Sequence, residues 1–169
     1  MSIDVSLAKR NEGVQYPFEE NLSLGTIPYE MGDIHTIGET AVEGTAMGAD
    51  GKVLLNGSIV VLLSQVCDRC AEPFEREYRF DFSELFTDGQ PEEDSDDYPF
   101  QSERIDLEKM VQDCIVLQLP AVNLCMETCR GLCPVCGINR NHANCNCNIE
   151  ISGPFGVLAG LMDRVKEDE

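Results

Sequence analysis

Apolar and polar positions alternate most regularly between residues 34 and 82. From Ile34 to Met47 the chain is rich in β-branched residues with partial alternation, and Asp50-Gly51 follows as a two-residue turn signal. This predicts a strand running into a tight hairpin. The next run, Lys52 to Val66 (KVLLNGSIVVLLSQV), is the most apolar of the chain. Its Val and Ile content predicts a long buried strand antiparallel to the first, with Gly57 as the place for a bulge. Pro73-Phe74 restarts the alternation, and Phe74, Tyr78, Phe80 and Phe82 share one face while charges take the other. That is the pattern of a half-buried strand, so Cys67–Cys70 is expected as a tight turn between two adjacent antiparallel strands. The aromatic stripe has the chemistry to stack on RNA bases, but at period two on a strand it reads as core.

The period changes twice more. Residues 83–97 turn acidic and read as a flexible loop. From Asp106, an N-cap candidate, Leu107, Met110, Val111, Cys114, Ile115 and Leu117 recur at three-to-four spacing until Pro120, which predicts a helix over 106–119. Cys114 lies on its apolar face and reads as a small buried hydrophobe. Residues 1–31 mix short apolar patches with Pro and Gly, giving edge strands or turns and no helix. After Cys147, FGVLAGLM at 155–162 is expected as a short apolar helix weakened by two glycines.

Charge narrows the partners. With 31 acidic and 12 basic residues the net charge is −19 over 169 residues, which repels phosphate backbones and favours a basic protein partner. The acidity is uneven: residues 88–97 hold six acids and no base, whereas residues 125–147 set Glu127 against Arg130 and Arg140. There is no apolar run long enough to span a bilayer and no targeting segment, so the expectation is a cytoplasmic protein with no membrane association. The 43% hydrophobic content suffices for one core plus a small metal-stabilised appendage.

Chemistry concentrates in 125–147, CMETCRGLCPVCGINRNHANCNC, which holds six of the nine cysteines. Cys133-Pro-Val-Cys136-Gly137 has the form of a zinc knuckle: two sulfurs aimed at one ion, with a glycine that lets backbone N–H groups approach them. Cys145-x-Cys147 completes four thiolates at short range. Cys125-x3-Cys129 lies upstream, and Cys67-Asp-Arg-Cys70 is a second Cys-x2-Cys. Eight cysteines thus make two sets of ligands for two Zn²⁺ per chain and leave Cys114 over. We assign site one to Cys67, Cys70, Cys125 and Cys129, and site two to Cys133, Cys136, Cys145 and Cys147; the expected end of the helix just before Cys125 brings the halves of site one together. An odd cysteine count without a signal peptide speaks against disulfides, and neither knuckle has the strand-then-helix setting of a redox Cys-x-x-Cys. Spacing leaves an iron–sulfur cluster open as the alternative to zinc. Four thiolates close the metal's shell, so catalytic zinc, which keeps a position for water, is not expected. His142 reads as a loop residue.

In combination these strings resemble the YceD family, the large ribosomal RNA subunit accumulation proteins. The resemblance is carried by Cys67-Asp-Arg-Cys70-Ala-Glu-Pro73-Phe74 and the aromatic strand after it, the acidic loop, Asp106-Leu107 with its helix to Leu119-Pro120, and LCPVCGINRNHANCNC at 132–147. It extends over roughly residues 34 to 165. It implies a bacterial cytoplasmic or plastid factor needed for accumulation of large-subunit ribosomal RNA, with no enzymatic activity, no catalytic residues to carry over and no small-molecule substrate. The expected partner is a basic large-subunit ribosomal protein or a pre-ribosomal particle. The alternative is direct ribosomal RNA contact through the zinc module, where Arg130, Asn139, Arg140, Asn141, His142 and Asn144 offer donors.

The resulting expectation is an α+β fold: an antiparallel β-sheet core with one amphipathic helix and a C-terminal four-cysteine zinc module. Residues 1–120 form the β-rich core domain, with acidic loop 83–97 and helix 106–119. Residues 121–169 form the cysteine-rich module and a short C-terminal helix.

Overall fold

The structure, a computed structural model, describes residues 2–29, 32–91 and 94–147. The chain runs through β1 (Ser2–Asp4), α1 (Ser6–Arg10), β2 (Gln15–Leu22), β3 (Thr26–Ile27), β4 (Ile34–Ala49), β5 (Lys52–Val66), β6 (Pro73–Asp88), β7 (Tyr98–Phe100), β8 (Arg104–Asp106) and α2 (Glu108–Gln118). Six strands make one mainly antiparallel sheet, ordered β2-β4-β5-β6-β7 with β3 beside β4, while β1 and β8 pair separately.

The hairpin forms where its turn residues stand. Asp50 and Gly51 both take positive φ, 50° and 77°, as a two-residue type I′ turn requires, and β4 pairs with β5 from Ala49↔Lys52 outward. β5 then pairs with β6 along its whole length, from Lys52↔Thr87 to Val66↔Pro73. Alternation decides which side chains face inward. Val53, Leu55, Ile59, Val61 and Leu63 of β5 meet Phe80, Phe82 and Phe86 of β6, with Val42 and Ala46 of β4 beside them, all buried. α2 covers this face with Met110, Val111, Cys114 and Ile115, and α1 lies against β4, where Ala8 crosses Gly48 so closely that a Cβ there would meet Ala8 O at 2.2 Å. Each fully buried Leu, Ile or Phe of this core contributes about 1.5–3 kcal/mol of transfer free energy. Both helices cover the same face of the sheet.

Several expectations are corrected. Ser83–Asp88 belongs to β6, not to an acidic loop, because Phe86 is inward-facing and pairs with Val53; the acidic loop starts only at Gly89. The bulge lies in β4, between Ile37 and Ala41, and not at Gly57. Gly57 instead faces Gly44 across the strands, where a Cβ would meet Glu43 O at 2.1 Å and Phe82 Cζ at 2.9 Å. Residues 1–31 do contain a helix, α1, so there are two helices among the described residues. β7 joins β6 in parallel, a pairing with no counterpart in the sequence pattern. In α2 the apolar stripe is Leu107, Met110, Val111, Cys114 and Ile115, and Leu117, off that stripe, is 81% exposed. Asp106 caps one residue early: its Oδ1 accepts Glu108 N at 3.0 Å, while Leu107 is the N-cap. The helix expected at 155–162 lies outside the described residues. No helix among the described residues is long and apolar enough to cross a membrane.

Candidate functional site

The sheet presents Cys67 and Cys70 at the β5–β6 turn. Ala71 N donates to Cys67 O at 2.8 Å and Cys67 N to Glu72 O at 2.9 Å, which folds Cys67-Asp-Arg-Cys70 into a knuckle with both sulfurs on one side. The segment after α2 is then tied to this turn. Asp68 N donates to Asn123 O and Asp68 Oδ2 accepts Asn123 N, at 2.9 and 2.6 Å; Gln65 Nε2 donates to Asn123 Oδ1 at 3.0 Å. Arg76 Nη2 holds the carbonyls of Leu124 and Cys125 at 2.7 and 3.2 Å. Cys125 and Cys129 are thereby placed over the knuckle.

All four sulfurs meet. Cys67 Sγ lies 3.8 Å from Cys129 Sγ, and Cys70 Sγ lies 3.7 Å from Cys125 Sγ. A tetrahedron of thiolates around zinc with bonds of about 2.3 Å has edges of roughly 3.8 Å, and a disulfide would need about 2.05 Å. Cys133, Cys136, Cys145 and Cys147 form the second group, and within each group the sulfur atoms lie within 4.8 Å of one another. The two groups are the pairs of half-sites that the spacing suggested, and their donor sets fit divalent metal ions such as zinc. Cys114 is in the core, its Sγ 3.7 Å from Met110 Sδ. His142 joins neither group; its Nε2 lies 2.8 Å from Glu72 Oε1.

The thiols of each group are pulled in opposite directions. Burial pushes Cys67 up, but backbone N–H groups at Cys125, Cys70 and Arg69 outweigh it and bring the thiol down to about 6. At Cys133 the N–H groups of Cys136 and Val135 do the same, to about 6. Cys125 is pushed up to about 12 by burial and by the neighbouring sulfurs of Cys67, Cys70 and Cys129. Cys147 is pushed up to about 12, by Cys136 first and then by burial. Four sulfurs this close do not all ionise without a cation among them. A bound divalent ion would supply that cation and hold the loops together; these residues leave it no open position for water or substrate.

Sequence reasoning named Arg140 and Asn141 only as donors toward RNA, and did not set them, or Arg69, against the cysteines. Arg69 Nη1 donates to Cys129 O at 3.2 Å and Arg140 Nη2 points at Cys133 Sγ at 3.9 Å. Asn141 Nδ2 donates to Cys129 Sγ at 3.3 Å, and this amide is the largest influence holding that thiol low. None of Arg69, Arg76, Arg130 and Arg140 enters an ion pair with a carboxylate among the described residues. Four thiolates on a divalent ion carry about −2, so these four guanidinium groups would offset the charge of two such sites if both were filled. The asparagine-rich wording of 139–148 was the available signal, but it points equally to a solvated loop.

No solved structure matches the chain. A chloroplastic protein of Arabidopsis thaliana named large ribosomal RNA subunit accumulation protein YCED homolog 1 is 24% identical over 150 residues, covering 70% of this chain and 47% of its own length. Its namesake in Zea mays is 28% identical over 145 residues, covering 66% of this chain and 50% of its own length. An uncharacterized protein of Mycobacterium tuberculosis is 28% identical over 150 residues, covering 82% of this chain and 70% of its own. The chain thus spans about half the length of the plant relatives. The sequence profile described as large ribosomal RNA subunit accumulation protein YceD matches residues 55–162, more than half of the chain, including all eight clustered cysteines, and on this match the chain belongs to the YceD family.

Proposed function

We propose that the protein is a non-enzymatic cytoplasmic factor that supports synthesis, processing or stability of large-subunit ribosomal RNA by holding a basic ribosomal protein or pre-ribosomal particle. In this reading residues 1–120 are the partner-holding sheet domain, and residues 121–169 are a module closed by two structural zinc ions, one of them shared with Cys67 and Cys70 of the sheet's β5–β6 turn.

One observation carries it, the open face of the sheet. Along β5, the run expected as a long buried strand, only one side lies under the helices among the described residues, and Leu54, Val60 and Leu62 on the other side are half-buried. On the other side Leu54 pairs with Leu85, Val60 with Arg79 and Leu62 with Glu77, and Leu85 is 39% exposed. Glu19, Glu43, Ser58 and Asp81 form one row across four neighbouring strands, lining a hollow of about 620 Å³. Glu19 and Glu43 stand directly opposite, a like-charge pairing that costs stability; Arg79 Nη2 meets Glu43 Oε1 at 3.0 Å and donates to Ser58 Oγ at 2.8 Å, and neither Glu19 nor Asp81 has an ion pair among the described residues. Apolar positions beside an under-neutralised acidic row suit a basic partner with apolar anchors.

A second reading is favoured by a hollow of about 380 Å³ lined by Arg130, Arg140, Asn144 and Cys145, which has the donors for a ribosomal RNA phosphate. Arg140 already points at Cys133 Sγ and Arg130 Nη2 at Asn144 Oδ1, beside thiolate groups that would carry negative charge when filled, so the sheet face is the stronger case. The test offers the protein, separately, proteins stripped from large ribosomal subunits by high salt and the large-subunit ribosomal RNA. Retention of basic proteins that falls as salt rises, and is lost in Leu62→Lys with Asp81→Lys, supports the first reading. RNA retention abolished by Arg130→Ala with Arg140→Ala, with no protein retained, replaces it with the second.

A further inference from the structure

The two four-cysteine groups are joined by a loop that belongs to one and touches the other. Cys129 is a member of the first group. Asn141 sits between Cys136 and Cys145, so its position depends on closure of the second. Its side chain uses both ends on the first group's segment: Oδ1 accepts Arg130 N at 2.8 Å and Nδ2 donates to Cys129 Sγ at 3.3 Å.

Backbone bonds fix that reach. Arg140 N donates to Gly131 O at 2.9 Å and Cys133 N to Ile138 O at 2.8 Å, folding the loop back on 129–133. Leu132 N donates to Arg69 O at 2.9 Å, so the same segment is pinned to the first knuckle. Gly131 is required there, since its φ is +68° and a Cβ would lie 2.9 Å from Arg69 O. Only three residues separate Cys129 from Cys133. The loop at 137–144 has one large aliphatic side chain, Ile138, and it is half-buried; without closure by the second group's sulfurs, the entropy of ordering it has little to offset it.

We propose that Asn141 is a positioning residue coupling the two sites, so that the ion in the second site orders the loop, sets the amide against Cys129 Sγ and raises the first site's affinity. By linkage the first site raises the second by the same factor. An outer hydrogen bond to a ligand is typically worth 10–100-fold in metal affinity, and that is the size of coupling expected. This rests on the reading that both groups hold a divalent ion.

The experiment titrates metal-free protein with Co²⁺, following the thiolate absorption of tetrahedral cobalt, and removes Zn²⁺ from the loaded protein with a chromophoric chelator. Wild type should bind two ions and release them in one steep step. Asn141→Ala keeps all eight ligands, so it should still bind two ions, with release split into two steps and the weaker site about 10–100-fold weaker. Asn141→Asp, which keeps the acceptor for Arg130 N and removes the donor to sulfur, should behave alike, whereas Asn144→Ala should match wild type. Two independent steps in wild type, or one unchanged step in both Asn141 variants, overturns the coupling. Fewer than two ions bound by wild type refutes the metal reading beneath it.

Discussion

The sheet and the cysteine region are held by different physics. The sheet encloses one continuous apolar core in which residues such as Leu55, Ile59 and Ile115 are fully buried. Among the described residues the cysteine region buries Cys67, Cys70, Cys129 and Cys133, the first three with Phe74, Leu124 and Cys125 packed against them. A cluster that small does not order twenty residues of loop against their conformational entropy, and its polar bonds are worth about 1 kcal/mol apiece. The sheet carries its own apolar core, whereas the region around 123–147 has sulfur groups where a core would be, so an ion bound there would make binding energy folding energy.

The largest effect is expected on the metal side. Cys67 and Cys129 are 62 residues apart in sequence, and cross-linking a loop of that size is worth roughly 4 kcal/mol in the chain-entropy model. Cys67→Ser should lose one ion by elemental analysis and expose 123–129 to hydrogen exchange, while Cys145→Ser should lose one ion with the sheet's protection intact. An unchanged metal content and melting temperature in Cys67→Ser would mean that the ends of site one are not joined by metal.

On the sheet side, Phe86 is 1% exposed and stacks on Tyr98 at 5.3 Å between ring centroids. Phe86→Ala should cost about 3–4 kcal/mol in denaturant unfolding, yet leave two ions bound below the melting transition. Loss of metal in that variant at low temperature would show the two regions to be one cooperative unit.

The smallest effect lies at the contact between the regions. Gly131→Ala forces a side chain into a left-handed backbone and against Arg69 O, a strain of roughly 1–2 kcal/mol. It should weaken metal retention in a chelator challenge while leaving the sheet's unfolding midpoint nearly unchanged. A shift of that midpoint as large as that of Phe86→Ala would place Gly131 in the wrong region.

The same division explains how much was legible in the sequence. β4, β5 and most of β6 follow from alternation because one face of each is buried, and Asp50-Gly51 specifies its turn by φ alone. The eight cysteines grouped as their spacing indicated, since close pairs leave few ways to build four-sulfur sets. What escaped depends on tertiary contact. α1 is five residues with no side-chain cap and is held by Ala8 against Gly48. β7 is three residues placed by β6. The end of β6 was hidden by its acidic composition, although Phe86 marked the inward face. Two acids of the segment read as a flexible loop are fixed: Asp88 holds Lys9 at 2.6 Å, and Asp97 binds Lys52 and Thr87, so Lys52 holds the Asp97 carboxyl below its usual range. Asn141 lay in plain sight as one of several asparagines, and only the fold shows which one meets a sulfur.

The most direct measurement is the metal content of protein purified without added metal, by elemental analysis and native mass spectrometry, followed by thiol counting after chelation under denaturing conditions. About two zinc ions per chain and nine free thiols are expected, in line with nine unpaired cysteines. One ion per chain, iron with visible absorbance, or fewer than nine thiols without a reductant would contradict that expectation.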